Sequence, residues 1–183
     1  GNPNRAYSFS VSNLDVKNIP KLLGLGLSSF SVVAIVKVDQ KNESWRLYPG
    51  GSPWFAESNI LTANVDSGRM FGLGFHFFPD DDSYGNLNEG LGFYPNTAEI
   101  SIYTINSLNY NHIVTTVSRQ EKLMRLYVNG VLKQQVSTGD YLFEEEISEF
   151  TIGSNSGGEL RIDELRIYNR ALSESEIQQI IGQ

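Results

Sequence analysis

Arg125-Leu126-Tyr127-Val128-Asn129-Gly130-Val131-Leu132 decides the fold class of this chain. Asn-Gly between two β-prone runs is the preferred sequence of a type I′ hairpin turn, because both central residues must take φ > 0. Alternation then puts Leu126 and Val128 on one face of a sheet and Tyr127 on the other. The segment therefore reads as two antiparallel strands with a buried side.

The same pattern repeats on either side. Short β-prone runs fall at 7–11, 30–37, 45–48, 60–64, 70–77, 90–94, 99–105, 112–118, 124–128, 131–136, 149–153 and 159–168. Gly, Asn, Asp and Pro punctuate them, with 17 Gly and 6 Pro spread along 183 residues rather than gathered in a linker. About a dozen short strands so divided predict an all-β sandwich or jelly roll. The length suits one domain spanning 1–183. Hydrophobic residues make up 40% and aromatics 11%, enough for a core.

Two local signals refine this picture. In Leu160-Arg161-Ile162-Asp163-Glu164-Leu165-Arg166-Ile167-Tyr168, Leu160 and Ile162 share one parity while Leu165 and Ile167 share the other. One extra residue near Asp163-Glu164 puts all four on the same face, so a β-bulge is expected there. In Leu172-Ser173-Glu174-Ser175-Glu176-Ile177, Ser173 and Glu176 have capping-box spacing, and Leu172 and Ile177 stand where a hydrophobic staple needs them. Ile177, Ile180 and Ile181 complete the apolar stripe of a short C-terminal helix that docks on the sandwich.

Composition removes several function classes. The net charge of -7 argues against nucleic acid and anionic membrane surfaces, which select a positive face. With no cysteine, thiol catalysis, zinc-thiolate sites and disulfide scaffolds are excluded. The longest apolar run, Ser31-Val32-Val33-Ala34-Ile35-Val36-Lys37-Val38, has strand length and is far too short to span a bilayer. The chain begins at Gly1 rather than Met, so no export signal is read from it either way.

An ordered set of segments carries a family resemblance: Asn111-His112-Ile113-Val114, Leu126-Tyr127-Val128-Asn129-Gly130, Phe150-Thr151-Ile152-Gly153, and Ile162-Asp163-Glu164-Leu165-Arg166-Ile167-Tyr168-Asn169-Arg170-Ala171-Leu172-Ser173 followed by Glu176-Ile177. Together they resemble the laminin G-like domains of the concanavalin A-like lectin/glucanase superfamily. Ser29-Phe30-Ser31-Val32-Val33-Ala34-Ile35-Val36 looks like an early inner strand of that family. Tyr110 stands where the family often has Trp, and residues 40–97 are particular to this chain. The resemblance implies a jelly roll of two antiparallel sheets, one convex and one concave. It also implies an extracellular or cell-surface binding module that recognises glycans or cell-surface proteins, often with Ca²⁺.

Among candidate site residues, His112 reads as structural, because it lies within a strand of the resembling pattern. His76, in Gly72-Leu73-Gly74-Phe75-His76-Phe77-Phe78, alternates against Phe75 and Phe77 and is a candidate for a ligand groove. Both Trp residues fall in Trp45-Arg46-Leu47-Tyr48-Pro49-Gly50-Gly51-Ser52-Pro53-Trp54-Phe55. Trp54, beside Pro53 near a loop end, is the candidate platform for a sugar ring, with Tyr84 and Tyr94 flanking the next acidic segment. Calcium, which takes six to eight hard oxygens, has Asp80 and Asp82 in that segment and Asp163 at the expected bulge as candidate ligands. The rival role for Asp163 is a hydrogen bond to backbone amides that holds the bulge. The exposed acidic run Glu144-Glu145-Glu146 reads as a solvated turn.

No catalytic residue is assigned. A retaining glycosidase needs two carboxylates about 5 Å apart. The glucanase branch of the superfamily supplies them from a Glu-x-Asp-x-x-Glu or Glu-x-Asp-x-Glu strand. Glu159-Leu160-Arg161-Ile162-Asp163-Glu164 comes nearest but has Arg161 in the middle acid's place. The expectation is a non-catalytic, carbohydrate-binding module that acts outside the cytoplasm. A glycoside hydrolase or polysaccharide lyase of the same superfamily, and a structural or protein-adhesion domain, stay open as alternatives.

Overall fold

The computed structural model describes residues 7–9, 14–17, 28–41, 56–65, 68–77, 85–93, 96–105, 109–139, 149–155 and 158–182. They form strands β1 (Tyr7–Phe9), β2 (Leu14–Lys17), β3 (Phe30–Lys41), β4 (Ala56–Val65), β5 (Gly68–Phe77), β6 (Gly85–Phe93), β7 (Asn96–Ile105), β8 (Asn111–Ser118), β9 (Leu123–Val128), β10 (Val131–Ser137), β11 (Glu149–Asn155) and β12 (Gly158–Tyr168), then helix α1 (Glu174–Ile181). Two six-stranded antiparallel sheets result. The first runs β1-β12-β3-β8-β9-β10 and the second β2-β11-β4-β5-β6-β7. This is the two-sheet jelly-roll sandwich with a C-terminal helix that the sequence predicts.

The hairpin forms as its sequence dictates. Asn129 and Gly130 take φ of 51° and 79°, and Val128 pairs with Val131 across the turn. Met124, Leu126 and Val128 point inward, while Tyr127 points out into a second cluster. The bulge also forms where the parity change requires it. Ile162 pairs with Val36 but Glu164 pairs with Ile35, which leaves Asp163 as the extra residue. Leu160 and Ile162 are thereby buried, and Leu165 and Ile167 pack against the same core.

That core lies between the sheets. β3 contributes Phe30, Val32, Ala34 and Val36, β8 contributes Ile113 and Val117, and the second sheet answers with Ile60, Leu61, Ala63, Leu73 and Phe150. Burying one such side chain stabilises the fold by about 1.5–3 kcal/mol. β3 does not alternate in sequence because it is buried on both sides: Val33 belongs to the helix-side cluster. Strands covered on both faces read as continuous apolar runs.

Some strands lack a local signal. β2 was not expected. β6 begins at Gly85, earlier than its β-prone residues, in a stretch (Gly85-Asn86-Leu87-Asn88-Glu89) of weak strand formers. It is held by ladders to β5 on one side and β7 on the other. The expected strand at 45–48 lies outside the described residues.

Candidate functional site

The two outer faces of the sandwich differ, and the difference locates the candidate site. On the first sheet, Val33, Val114 and Tyr127 face outward, and α1 covers them. Leu172 and Ile177 are buried against these residues, with Tyr168, Ile180 and Ile181 packed around. Local chemistry places the helix. Ser173 Oγ accepts from the Glu176 amide, the Glu176 carboxylate accepts from the Ser173 amide at 2.8 Å, and the capping box is complete. Buried Ser31 clasps the incoming chain, its Oγ donating to Arg170 O and accepting from Leu172 N, both at 2.9 Å. At the far end Gln178 Nε2 donates to Gly130 O at 2.6 Å. The Arg170 guanidinium, then the Ser173 amide and hydroxyl, lower the Glu176 carboxyl to about 2. Burial pushes the Tyr127 phenol up.

No helix among the described residues covers the second sheet, although Thr62 on its outer face is buried. Leu73 is buried inside, so alternation along β5 assigns Gly72, Gly74 and His76 to the opposite face. Register extends that face into rows across the sheet. One row is Glu57, His76 and Asn86. The next is Asn59, Gly74, Asn88 and Ser101, and the one after is Thr62, Gly72, Gly90 and Glu99. Every one of these positions is polar or glycine. A bulge at Ile60 makes this consistent. Pairing passes from Asn59–Gly74 to Leu61–Leu73, so Ile60 and Leu61 both enter the core while Asn59 keeps the outer parity.

The middle of the face is built on backbone. Gly72-Leu73-Gly74 and Gly90-Leu91-Gly92 lie on adjacent strands, with Gly72 directly opposite Gly90. Glycine inside a strand costs roughly 0.5–1 kcal/mol relative to alanine and marks places where a ligand or another backbone comes close. This repeated Gly-Leu-Gly is the signal by which sequence reasoning could have found the face. Glu57, Asn59, Asn88 and Glu99, scattered over 43 positions, carry no such signal.

The individual candidates fall as follows. His76 stands on this face, between Glu57 and Asn86. Trp54, Asp80, Asp82, Tyr84 and Tyr94 lie outside the described residues. Asp163 is the half-buried bulge residue on the other sheet, and β1 pairs with β12 just before it, Tyr7 against Ile162. Its neighbour Glu164 is bound by the Arg166 guanidinium. No group of three or more His, Asp or Glu able to hold a metal forms among the described residues. His112 also lies on the first sheet, away from His76. Its amide donates to Asn129 Oδ1 at 2.9 Å, and its carbonyl accepts from Asn129 N at 2.8 Å. Asn129 Nδ2 in turn donates to Asn111 Oδ1, and Asn111 Nδ2 to Asn109 O. The Asn-His and Asn-Gly segments of the sequence are thus one strand-end clasp.

Comparison with known proteins agrees with this architecture. No curated protein sequence matches the chain. Among solved structures, the binding domain of Paraclostridial Mosquitocidal Protein 1 superposes with a TM-score of 0.71 at 20% identity, over 96% of this chain and 42% of that one. The binding domain of botulinum neurotoxin DC in complex with rat synaptotagmin II gives 0.70 at 12% identity, over 97% and 42%. The same toxin's binding domain in complex with SialylT gives 0.69 at 13%, again over 97% and 42%. The chain therefore spans less than half the length of these neighbours, and the likeness is one of fold. A laminin G family model, described as concanavalin A-like lectin/glucanases superfamily, matches residues 12–178, and the chain belongs to that family.

Proposed function

We propose that this domain is a non-catalytic, extracytoplasmic recognition module that binds carbohydrate on the outer face of its second sheet. One observation carries the reading. α1 occupies the outer face of the first sheet, whereas the rows through His76, Gly74 and Gly72 hold only polar residues and glycine. Hydroxyl-rich ligands are recognised by convergent hydrogen-bonding groups, and a glycine floor lets a flat ring approach the sheet. The fold neighbours support a binding role, since they are binding domains of toxins, one in complex with SialylT and one in complex with rat synaptotagmin II. Glu57 and Glu99 on this face sit three strands and two rows apart, roughly 14 Å across the sheet and roughly 13 Å along it, or roughly 19 Å in all. That exceeds the roughly 5–9.5 Å between the carboxylates of a glycosidase.

Calcium dependence belongs to the same proposal, with Asp163, Asp80 and Asp82 as the carboxylates involved. No group of three or more acids and histidines forms around Asp163 among the described residues, so binding is not routed through the ion here. No described helix is long and apolar enough to cross a membrane. A glycan array probed with and without Ca²⁺ tests the reading. Binding to a defined glycan class, weakened by His76→Ala, is the expected outcome. An array without a hit in either condition overturns it.

A further inference from the structure

The hairpin that decides the fold also carries chemistry. We propose that Asn129 is a site of spontaneous deamidation, restrained in the folded protein by α1 through Gln178. Asn129-Gly130 is the one Asn-Gly pair in the sequence, and Asn129 is exposed at the turn. Glycine places no side chain in the way of its own backbone nitrogen. The Gly130 nitrogen, on losing its proton, attacks Asn129 Cγ. The N–Cγ bond forms, the Cγ–Nδ2 bond breaks, and Nδ2 leaves as ammonia. Water then opens the cyclic imide at either carbonyl, giving aspartate or isoaspartate, with no net oxidation.

Three contacts oppose that attack. The Asn129 Oδ1 holds the His112 amide, its Nδ2 holds Asn111 Oδ1 at 3.2 Å, and Gln178 Nε2 grips Gly130 O at 2.6 Å. Ring closure must swing the Asn129–Gly130 peptide toward Cγ, which carries Gly130 away from Gln178. The product also has a structural consequence. A carboxylate is acceptor-only, whereas the amide it replaces donates. After conversion, an oxygen faces Asn111 Oδ1, and Asn111 is 5% exposed and has committed its own Nδ2 to Asn109 O. Two acceptors then oppose each other at the end of β8.

The test incubates the whole protein in mildly alkaline buffer and follows it by peptide mapping with isoaspartate detection. Asn129 should convert ahead of every other asparagine, and Gln178→Ala should speed it several-fold. Gln179→Ala, an exposed neighbour on the same helix, should match the wild type. In urea, Asn129→Asp should unfold at a lower midpoint than the wild type. Equal rates for wild type and Gln178→Ala, or earlier conversion at another asparagine, overturn the proposal, and an unchanged midpoint for Asn129→Asp overturns its structural consequence.

Discussion

Inserting one alanine after Asp163 should damage the protein far more than truncating the Asp163 side chain. In the native register Asp163 is the unpaired residue between Ile162–Val36 and Glu164–Ile35. The bulge already absorbs this one extra residue, so a second one shifts everything after it by one position. If the first half keeps Leu160 and Ile162 inside, the second half turns Leu165 and Ile167 outward and Glu164 and Arg166 inward. Leu165 and Ile167 are half-buried, so each loses about half of the 1.5–3 kcal/mol of a fully buried side chain. Burying the Glu164–Arg166 pair adds a desolvation penalty of several kcal/mol unless the strand frays instead. Fraying carries its own loss, because β12 leads into Arg170 and Leu172, which Ser31 clasps. The insertion should therefore cost about 3–5 kcal/mol, a large share of a typical 5–15 kcal/mol domain stability. Asp163→Ala keeps the residue count and should cost about 1 kcal/mol or less, typical of a substitution that leaves the register intact. Urea unfolding of both variants, followed by far-UV circular dichroism, measures the difference. If the two variants agree within about 1 kcal/mol, residue count at the bulge does not set the register and the reasoning fails.

Thr115 points into the core fully buried, and its hydroxyl has no hydrogen-bond partner among the described residues. Thr115→Val should raise stability by about 1–2 kcal/mol in urea unfolding, because it removes an unpaid desolvation penalty. The Glu176 carboxyl is depressed in the folded state from 4.5 to about 2. Its contribution is therefore present above the unfolded pKa and fades as pH falls from 4.5 toward 2. Urea midpoints for wild type and Glu176→Gln should differ at neutral pH and converge across that window. Gly72→Thr puts a β-branched side chain on the glycine floor, opposite Thr62 and Gly90. Glycan binding found on the array should be lost, while the melting temperature should hold or rise, since strand propensity favours Thr over Gly by up to ~1 kcal/mol.

The features legible in the sequence are those whose physics is local. Asn129-Gly130 names its turn because only a few residues tolerate two successive positive φ angles. Ser173 and Glu176 name a helix start because they satisfy each other's amides within one turn. The parity change around Asp163 names a bulge because the strand period is fixed at two. The reading of His112 as structural rests only on a resemblance. Its backbone amide and carbonyl join a clasp with Asn129 and Asn111 that unites residues 17 and 18 positions apart.

The candidate site belongs to the other category. Glu57, His76 and Asn86 come from three strands, and nothing in any one of those segments says that they share a row. Their juxtaposition depends on register, and register depends on two long-range facts: Leu73 seeks the core, and β4 bulges at Ile60. Likewise, the sequence predicted an amphipathic helix but not which face it would cover. That was decided when Val33, Val114 and Tyr127, from three strands of one sheet, assembled the apolar surface that receives Leu172 and Ile177. By itself, then, the sequence determined the all-β class, the hairpin, the bulge and the cap, because steric and hydrogen-bonding rules act over a few residues. Tertiary structure alone chose which outer face α1 covers and which residues share the polar rows of the other, because burial is settled only when distant strands meet.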